Sequence, residues 1–350
     1  MATVDDTTLA PPSAPEALLW ERQADGGVVC GLCAHRCRIR PGLRGICGVR
    51  QNVDGTLVTL VADRIVAAEV DPIEKKPFFH FLPGSLAYSI ATVGCSFHCR
   101  FCQNWAIAQW PRERSGPMPG ELTSPRAIVA AARAARCATI AYTYTEPTIF
   151  FELALATSRL AVEAGLRNVF VTNGYMTAEA LALIAPVLHG ANVDLKSFSD
   201  RYYRKVCSAT LAPVLETIRR MRERSLWVEV TTLLIPGRND GDDELGALAR
   251  WLVSVDREIP WHVSAFYPAY KMMDAPPTPV STLHRAAQIG RQAGLRYVYT
   301  GNVPGDPLEN TACPTCGRWL LRRRGFRVTE NALENGRCPV CKEAIAGVWA

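Results

Sequence analysis

The sequence predicts an α/β fold built around a parallel β-sheet. Two observations lead to this prediction. Short runs rich in β-branched residues alternate with longer stretches rich in Ala, Leu and Arg between about residues 85 and 304, and 350 residues suffice for one large domain with small appendages. Strict alternation of strand and helix is typical of right-handed βαβ units. Six such units and a short seventh strand fit a partial (β/α)6 barrel, a full barrel or a doubly wound sheet.

The individual elements of this core follow from the same alternation. The predicted strands are Tyr88–Val93, Thr139–Thr145, Asn168–Thr172, Asn192–Leu195, Trp227–Leu234, His262–Phe266 and Tyr297–Tyr299. The predicted helices are Pro125–Ala135, Thr148–Ala164, Thr177–Val187, Ala212–Arg224, Asp242–Ser254 and Thr282–Ala293. The carboxyl ends of parallel strands meet at one rim, so polar residues that follow these strands are candidates for a shared site.

The composition is that of an ordinary globular protein. Apolar residues make up 48% of the chain, charged residues 21%, and the net charge is +6. Residues 1–17 form a predicted disordered lead-in, because residues 1–15 are acidic or neutral and rich in Thr, Pro and Ala. They also lack the basic start and apolar core of a signal peptide. No stretch approaches the roughly 18 uninterrupted apolar residues of a membrane span. We therefore expect a cytoplasmic protein without membrane contact.

Eleven of the thirteen cysteines fall into three clusters, which in a cytosolic enzyme favours metal ligation over disulfide pairing. Only Cys137 and Cys207 lie outside. The clusters are Cys30, Cys33, Cys37 and Cys47; Cys95, Cys99 and Cys102; and Cys313, Cys316, Cys338 and Cys341.

The first cluster opens a predicted N-terminal module over residues 18–84. Its C-x2-C-x3-C-x9-C spacing can hold zinc or an auxiliary iron–sulfur cluster, and we favour zinc. Asp54-Gly55 between two apolar runs predicts a β-hairpin. The prolines within residues 71–81 then predict an extended connector.

The last cluster lies in a predicted C-terminal module over residues 311–350. Its C-x2-C-x21-C-x2-C spacing is typical of a four-thiolate zinc ribbon or an iron-binding, rubredoxin-like site. Four sulfurs close the coordination sphere, so we expect a structural role. The module also carries a basic patch from Arg318 to Arg327, which is either a solvated face or a contact for nucleic acid or an acidic partner. We expect the final Gly347-Val348-Trp349 to dock on a neighbouring segment.

The middle cluster is the most informative. Cys95, Cys99 and Cys102 have C-x3-C-x2-C spacing, directly after a predicted strand, with the aromatic Phe101 before the third cysteine. Three thiolates are one short of a closed four-ligand site, and an open coordination position is where a metal can do chemistry. The structural alternative is a zinc knuckle that takes His98 as its fourth ligand.

This loop resembles the cluster-binding loop of radical S-adenosylmethionine (SAM) enzymes. The resemblance implies a partial (β/α)6 barrel in which the three cysteines hold three irons of a [4Fe-4S] cluster and SAM chelates the fourth. It further implies reductive cleavage of SAM to methionine and a 5′-deoxyadenosyl radical, which abstracts hydrogen from a substrate. An electron donor such as flavodoxin or ferredoxin is implied as a partner.

The resemblance also implies which residues contact SAM. Beside Phe101, these residues lie at the ends of the later strands or, for His262, within strand six: Glu146, Asn173, Gly174, Asp194, Lys196 and His262. Glu146 would receive the amino group of SAM, or else cap the following helix. Asp194 and Lys196 would meet polar groups of SAM, or else pair with each other at the rim. His262 would contact SAM, or else be a packed core residue.

Further motifs, two of them outside the core, narrow the resemblance. They are Cys30-Gly31-Leu32-Cys33-Ala34-His35-Arg36-Cys37, Pro72-Ile73-Glu74-Lys75-Lys76-Pro77, Phe101-Cys102-Gln103-Asn104-Trp105 and Tyr144-Thr145-Glu146-Pro147-Thr148. Together they resemble the radical SAM enzymes of AmmeMemoRadiSam systems, relatives of the pyruvate formate-lyase activating enzyme. AMMECR1-like and Memo-like partner proteins are implied by that name. One departure is Ala34, where many relatives have proline.

Two classes of function remain open from the sequence. One is a radical SAM enzyme that activates a glycyl radical partner or modifies a small molecule, peptide or RNA. The other is a nonenzymatic metal-ribbon interaction module on a degenerate barrel. The intact three-cysteine loop favours the enzyme, and the sequence names no substrate.

Overall fold

A computed structural model describes residues 14–350 of the chain. Residues 1–13 of the predicted disordered lead-in lie outside the described residues. The rest of that lead-in is ordered, which corrects the prediction: Ala17 is buried, and its N–H donates to the carbonyl of Leu57 at 2.8 Å. None of the helices in the described part of the chain is long and apolar enough to cross a membrane.

Eighteen strands and nine α-helices occur in residues 14–350. The strands are β1 (Trp20–Arg22), β2 (Val28–Cys30), β3 (Arg38–Ile39), β4 (Arg50–Val53), β5 (Thr56–Thr59), β6 (Arg64–Ile65), β7 (Ala67–Pro72), β8 (Leu86–Ala91), β9 (Glu121–Leu122), β10 (Thr139–Tyr142), β11 (Arg167–Thr172), β12 (Gly190–Asp194), β13 (Trp227–Leu234), β14 (Trp261–Ala265), β15 (Val298–Gly301), β16 (Thr311–Ala312), β17 (Trp319–Arg324) and β18 (Arg327–Asn331). The helices are α1 (Trp105–Ala108), α2 (Trp110–Glu113), α3 (Pro125–Ala134), α4 (Phe151–Glu163), α5 (Ala178–Ile184), α6 (Asp200–Tyr202), α7 (Ala212–Glu223), α8 (Asp242–Asp256) and α9 (Val280–Ala293).

An eight-stranded sheet forms the core, in the order β15-β14-β13-β12-β11-β10-β8-β7. The seven strands from β8 to β15 in this sheet are mutually parallel, and β7 joins antiparallel at one edge. In the described residues, β15 pairs with β14 alone, so the sheet does not close. The predicted α/β fold with a parallel sheet is confirmed, and of the three architectures that the alternation allowed, a fully closed barrel is wrong.

Local signals explain where the helices begin and end. Ser124 caps α3 by accepting a hydrogen bond from the N–H of Ala127 at 3.2 Å, and Pro125 occupies the first helical position. Gly294, with φ of +110°, ends α9 in the left-handed conformation. The helices flank strands such as β10 and β14, whose residues are all buried, as expected for a parallel sheet covered by helices.

The N-terminal region is not separate from this core. It contains a three-stranded sheet in the order β1-β2-β3 and the predicted hairpin, β4–β5, whose turn residues Asp54 and Gly55 both have positive φ. However, β7 lies within the predicted module over residues 18–84 and yet forms the edge of the main sheet. The boundary at residue 84 is therefore corrected, because backbone pairing ties residues 67–72 to the core.

The connector after β7 closes the amino ends of the strands. Phe78 and Phe81 are fully buried there. The carboxylate of Glu229 on β13 accepts hydrogen bonds from the backbone N–H groups of Phe79 (3.0 Å) and His80 (2.8 Å), and from the indole of Trp227 (3.0 Å). A buried carboxylate with several donors fixes the connector because each lost bond would leave a polar group unsatisfied.

The C-terminal module packs against this connector. Its three strands form an antiparallel sheet, β16-β17-β18. Arg323 from the predicted basic patch is buried, donates to the carbonyl of Phe79 at 2.8 Å and lies over its ring, so it belongs to the interface and not to a solvated face. The predicted docking of the C-terminal segment is confirmed, since Val348 exchanges backbone hydrogen bonds with His80 and Leu82 at 2.7 Å each.

Acid is expected to destabilise this packing through His80. Burial lowers the pKa of His80 to about 4, and the ring lies within 2.6 Å of both the Ala346 carbonyl and the Tyr299 hydroxyl. The unfolded chain takes up the proton near pH 6.5, so stability is retained above that pH and falls as pH drops toward 4. The expected loss is about 3 kcal/mol between pH 7 and pH 4. Denaturant unfolding across this range measures it, and His80→Asn should flatten the slope; an unchanged slope would contradict the assignment.

Candidate functional site

The carboxyl ends of the parallel strands surround one cavity of about 270 Å³. All seven parallel strands, through their ends or the loops that follow, contribute to its lining. The lining residues include Cys95, Cys99, Phe101, Cys102, Tyr144, Thr145, Asn173, Asp194, Lys196, Thr231, Ser264 and Asn302. The expectation that polar strand ends converge at one rim is therefore confirmed.

The three-cysteine loop leaves β8 through a tight turn at Gly94. Gly94 has φ of +96°, and a Cβ there would lie 2.8 Å from Val49 Cγ1 and 3.0 Å from the carbonyl oxygen of Cys47. Only glycine fits this backbone without displacement. Cys95 and Cys99 are buried, and the N–H of Phe97 points to the Cys95 sulfur at 3.4 Å.

Two residues that the sequence did not single out for a role hold this loop in place. Arg112 on α2 donates to the carbonyl of Cys95 at 2.6 Å and also to the carbonyl of Ile46. Cys207, one of the two unclustered cysteines, is buried, contacts the thiol of Cys99 and accepts the N–H of His98 through its carbonyl at 2.9 Å. No spacing pattern could reveal either contact, since both join segments distant in sequence.

The thiols of this loop are held in a low-dielectric environment. Burial raises the pKa of Cys102 to about 12, and it also raises the pKa of Cys95. A hydrogen bond with Cys207, followed by burial, raises the pKa of Cys99. Thiols in such surroundings stay protonated and inert unless a metal displaces the proton, so these residues suit ligation better than nucleophilic catalysis.

Asn173 links the cysteine loop to the end of β11. Its amide nitrogen donates to Ser96 Oγ at 3.0 Å and lies 3.9 Å from the Cys95 sulfur. The neighbouring Gly174 does not line the cavity. It has φ of +69°, and a Cβ there would lie 2.8 Å from Val193 Cγ1, so its role is close packing of the loop.

Glu146 is placed differently from the prediction that it contacts SAM. It is fully buried and does not line the cavity. One carboxylate oxygen accepts from the Thr148 N–H and hydroxyl and from the Thr172 hydroxyl, and the other accepts from the Asn173 N–H at 2.8 Å. With both oxygens occupied by protein donors, Glu146 caps the 3₁₀ turn Pro147–Phe150 and positions Asn173.

Asp194 and Lys196 lie together in the cavity wall, as the sequence predicted for alternate residues of one strand. Lys196 Nζ is 2.7 Å from Asp194 Oδ2 and 5.9 Å from the centre of the Phe101 ring. Burial lowers the pKa of Lys196, but the Asp194 carboxylate and nearby thiol groups outweigh it and raise the pKa overall. Lys196 is therefore a permanent cation beside the cysteines.

His262 lies away from this cavity, at the amino end of β14. Its Nε2 is 2.6 Å from Glu229 Oε2, and the ring packs edge-on against Phe79. It is buried and belongs to the network that fixes the connector. His262 therefore has the core role and not the predicted SAM contact. The reason is that it is the second residue of β14 and lies at the amino end of the sheet, which the connector closes.

Further lining residues were not assigned a role from the sequence. Tyr144 has φ of +64°, donates its hydroxyl to Asp71 at 2.6 Å and stacks under Lys76 Nζ at 4.1 Å. Asn302, after β15, donates to the carbonyl of Ala265 at 2.9 Å. The one sequence signal for these residues was that they lie at or after the ends of predicted strands. That signal does not single them out, because polar residues follow many strands.

The sulfur positions separate two kinds of site. Among the described residues, the only metal-ligating groups whose ligand atoms all lie within 4.8 Å of one another are Cys313, Cys316, Cys338 and Cys341. This C-terminal site can hold a single tetrahedral ion. The cavity cysteines are spread more widely, and no zinc knuckle with His98 forms. That spread fits a cluster in which each thiolate binds a different iron.

The lining also fits SAM chemically. An anion, a cation and amide groups from Asp194, Lys196, Asn173 and Asn302 face the space beside the cysteines. SAM carries an ammonium, a carboxylate and ribose hydroxyls, which are the groups that such side chains pair with.

Comparison with known proteins agrees with this geometry. A sequence profile of the radical SAM superfamily matches residues 89–252. An uncharacterized protein of Methanocaldococcus jannaschii is 42% identical over 333 residues, which cover 94% of this chain and 98% of that protein. The isethionate sulfite-lyase activating enzyme of Oleidesulfovibrio alaskensis is 28% identical over 122 residues, 33% of this chain and 40% of that enzyme.

Solved structures share the fold. The SAM-bound crystal structure of SuiB from Streptococcus suis superposes with a TM-score of 0.50 at 11% identity, over 66% of this chain and 53% of SuiB. This chain thus spans less than two thirds of the activating enzyme and of SuiB. The profile match, the open parallel sheet and the three-cysteine cavity lead to one conclusion: residues 89–252 of this chain form a radical SAM superfamily domain.

Proposed function

We propose that the protein is an enzyme that cleaves SAM reductively in the cavity at the carboxyl ends of the strands. The observation that carries this proposal is the convergence of Cys95, Cys99 and Cys102 with polar side chains from the other strand ends in one cavity. When bound there, a [4Fe-4S] cluster and SAM supply one-electron reductive cleavage to methionine and a 5′-deoxyadenosyl radical that abstracts hydrogen from a substrate.

The residues of the cavity would divide the work of binding and orientation. The three cysteines would hold the cluster through their thiolates. Lys196 pairs with the carboxylate of SAM, and Asp194 accepts from its ammonium or ribose hydroxyl groups. Asn173 orients the loop through Ser96. The buried walls exclude water, which protects a radical from side reactions.

Anaerobic reconstitution with iron and sulfide tests this function directly. The reconstituted protein, given SAM and a strong reductant, should form 5′-deoxyadenosine and methionine. Protein with intact cluster absorption that yields no 5′-deoxyadenosine above a reaction without reductant would overturn the proposal. The nonenzymatic metal-ribbon alternative would then be favoured.

Lys196→Ala is expected to weaken SAM binding without removing the cluster. Loss of the buried cation should raise the Kd for SAM about tenfold, equivalent to about 1.4 kcal/mol. Anaerobic equilibrium dialysis against SAM measures this, with iron content as a parallel readout. Lys342→Ala is the matched control, because Lys342 pairs with Glu334 on the surface. An unchanged Kd for Lys196→Ala would remove Lys196 from the SAM site.

A glycyl radical protein is the substrate class that we propose first. Support comes from the similarity to an activating enzyme. Flavodoxin or ferredoxin is the proposed electron donor, and AMMECR1-like and Memo-like proteins are proposed partners. The cysteines of the described residues form no disulfides, which favours a location in the reducing cytoplasm. Electron paramagnetic resonance of reaction mixtures with partner candidates tests this proposal. A glycyl signal supports activation, whereas a modified small molecule, peptide or RNA without that signal rejects it.

A further inference from the structure

The N-terminal four-cysteine group is a second site that the SAM cavity does not include. Cys30 is the last residue of β2, and Cys33 forms an isolated antiparallel β-bridge with Met176 through its backbone. Cys37 precedes β3, and Cys47 precedes β4. Cys30 and Cys33 are buried, and the other two are half-buried. Cys33 interacts electrostatically with Cys30, Cys37 and Cys47, so the fold brings the four together in loops that are largely shielded from solvent.

The spacing of the four sulfurs does not suit one metal ion. A tetrahedral zinc with bonds of about 2.3 Å needs sulfurs about 3.8 Å apart. The C-terminal site meets this requirement, with sulfur separations of 3.5 Å for Cys313–Cys341 and 3.6 Å for Cys316–Cys338. In the N-terminal group, which lies wholly within the described residues 14–350, no three sulfurs lie within 4.8 Å of one another.

The cysteines of the SAM cavity provide an internal standard for this spread. Cys95, Cys99 and Cys102 also fail to converge within 4.8 Å, and they are the expected ligands of a [4Fe-4S] cluster. In a cubane each thiolate binds its own iron, so the sulfurs stand farther apart than around a single ion. The N-terminal group thus resembles the cluster site of this chain, and differs from its single-ion site, in that no three of its sulfurs lie within 4.8 Å of one another.

Hydrogen-bond donors surround the N-terminal sulfurs. Backbone N–H groups reach three of them: His35 to Cys33, Ile46 to Cys37 and Val49 to Cys47. Arg50 donates from Nη1 to the Cys30 sulfur at 3.5 Å. Such donors stabilise the negative charge of a thiolate-ligated cluster and tune its potential.

Arg50 adds a buried charge to this group. It is 1% exposed, pairs with Glu152 and donates to the carbonyl of Leu18, and its Nε has no protein partner in the described residues. A cation this deeply buried is costly unless anions compensate it. Four thiolates on a cluster supply further negative charge beside the one carboxylate.

We propose that Cys30, Cys33, Cys37 and Cys47 hold an auxiliary [4Fe-4S] cluster, in place of the single zinc ion that the sequence favoured. The site shares a wall with the SAM cavity. The Cys47 carbonyl lies 3.0 Å from where a Cβ of Gly94 would stand, Arg112 bridges the carbonyls of Ile46 and Cys95, and the His35 ring lies 2.8 Å from the Ser96 carbonyl.

Metal analysis of variants of the full chain tests this proposal without relying on activity. The triple variant Cys95→Ala, Cys99→Ala and Cys102→Ala keeps the N-terminal group intact. After anaerobic reconstitution with iron, sulfide and zinc, it should retain about four irons and about four sulfides per chain, and the native sequence about twice as many. Both should contain about one zinc, which Cys313→Ala and Cys316→Ala together should remove.

A second variant locates the retained iron. Adding Cys30→Ala and Cys33→Ala to the triple variant should remove it, with circular dichroism and zinc content reporting that the chain is still folded. Two zinc ions with no iron in the triple variant, or two or fewer irons, would overturn the proposal. The result is independent of SAM cleavage, so failure of the enzymatic proposal and failure of this one are distinguishable.

Discussion

Cys102→Ala is expected to abolish formation of 5′-deoxyadenosine. The substitution removes one of the three cysteines that line the cavity and would ligate the cluster, so about four irons per chain should be lost. Cys102 is only half-buried, and its replacement should therefore leave the fold intact. Iron content after anaerobic reconstitution and chromatographic assay of 5′-deoxyadenosine measure the two effects.

Cys137→Ala is the matched control for this experiment. Cys137 is a buried cysteine after α3 that belongs to none of the three clusters, so the same chemical change is made away from any metal. Iron content and product formation should equal those of the native chain. Cluster retention with turnover in Cys102→Ala would show that another residue supplies the third ligand, with Cys207 beside Cys99 the first to examine.

Glu229→Ala is expected to cause the largest loss of stability. The carboxylate is fully buried and accepts from two backbone N–H groups of the connector, from Trp227 and from His262. Its removal leaves four polar groups without a partner, which should lower the free energy of unfolding by about 3–5 kcal/mol. Chemical denaturation at neutral pH measures the difference.

The control for Glu229→Ala is Glu330→Ala. Glu330 forms an exposed ion pair with Arg322 at 3.2 Å, so its loss should change stability by less than about 1 kcal/mol. If the two variants unfold at the same denaturant concentration, the connector is not held by the Glu229 network. The fold at the amino ends of the strands would then depend on apolar packing of residues such as Phe78 and Phe81.

Much of the core could be predicted because its signals are local. The observed strand β13 matches the predicted bounds at both ends, and α3 begins at the predicted residue because Ser124 and Pro125 are cap signals. The hairpin turn at Asp54-Gly55 requires two positive φ angles, which these residues tolerate. Each of these features depends on residues within a few positions of one another.

The errors share one physical cause, which is that polar residues choose among partners distant in sequence. Glu146 follows a strand as a SAM ligand would, but donors from Thr172 and Asn173 occupy its oxygens. His262 was the other candidate, and Glu229, 33 residues away, holds it at the opposite end of the strand. Neither partner could be inferred from periodicity.

The sequence by itself determined the alternating α/β core and the three-cysteine loop, because periodicity, caps and ligand spacing are properties of short segments. Only the tertiary structure decided that the sheet stays open, that β7 belongs to it, and that Asn173, Asp194 and Lys196 share a cavity with the cysteines while Glu146 and His262 do not. It also set the spread of the sulfurs at each site. These features depend on contacts between residues that are distant in sequence. Burial adds to this, because a polar group removed from water needs a hydrogen-bond partner in the protein.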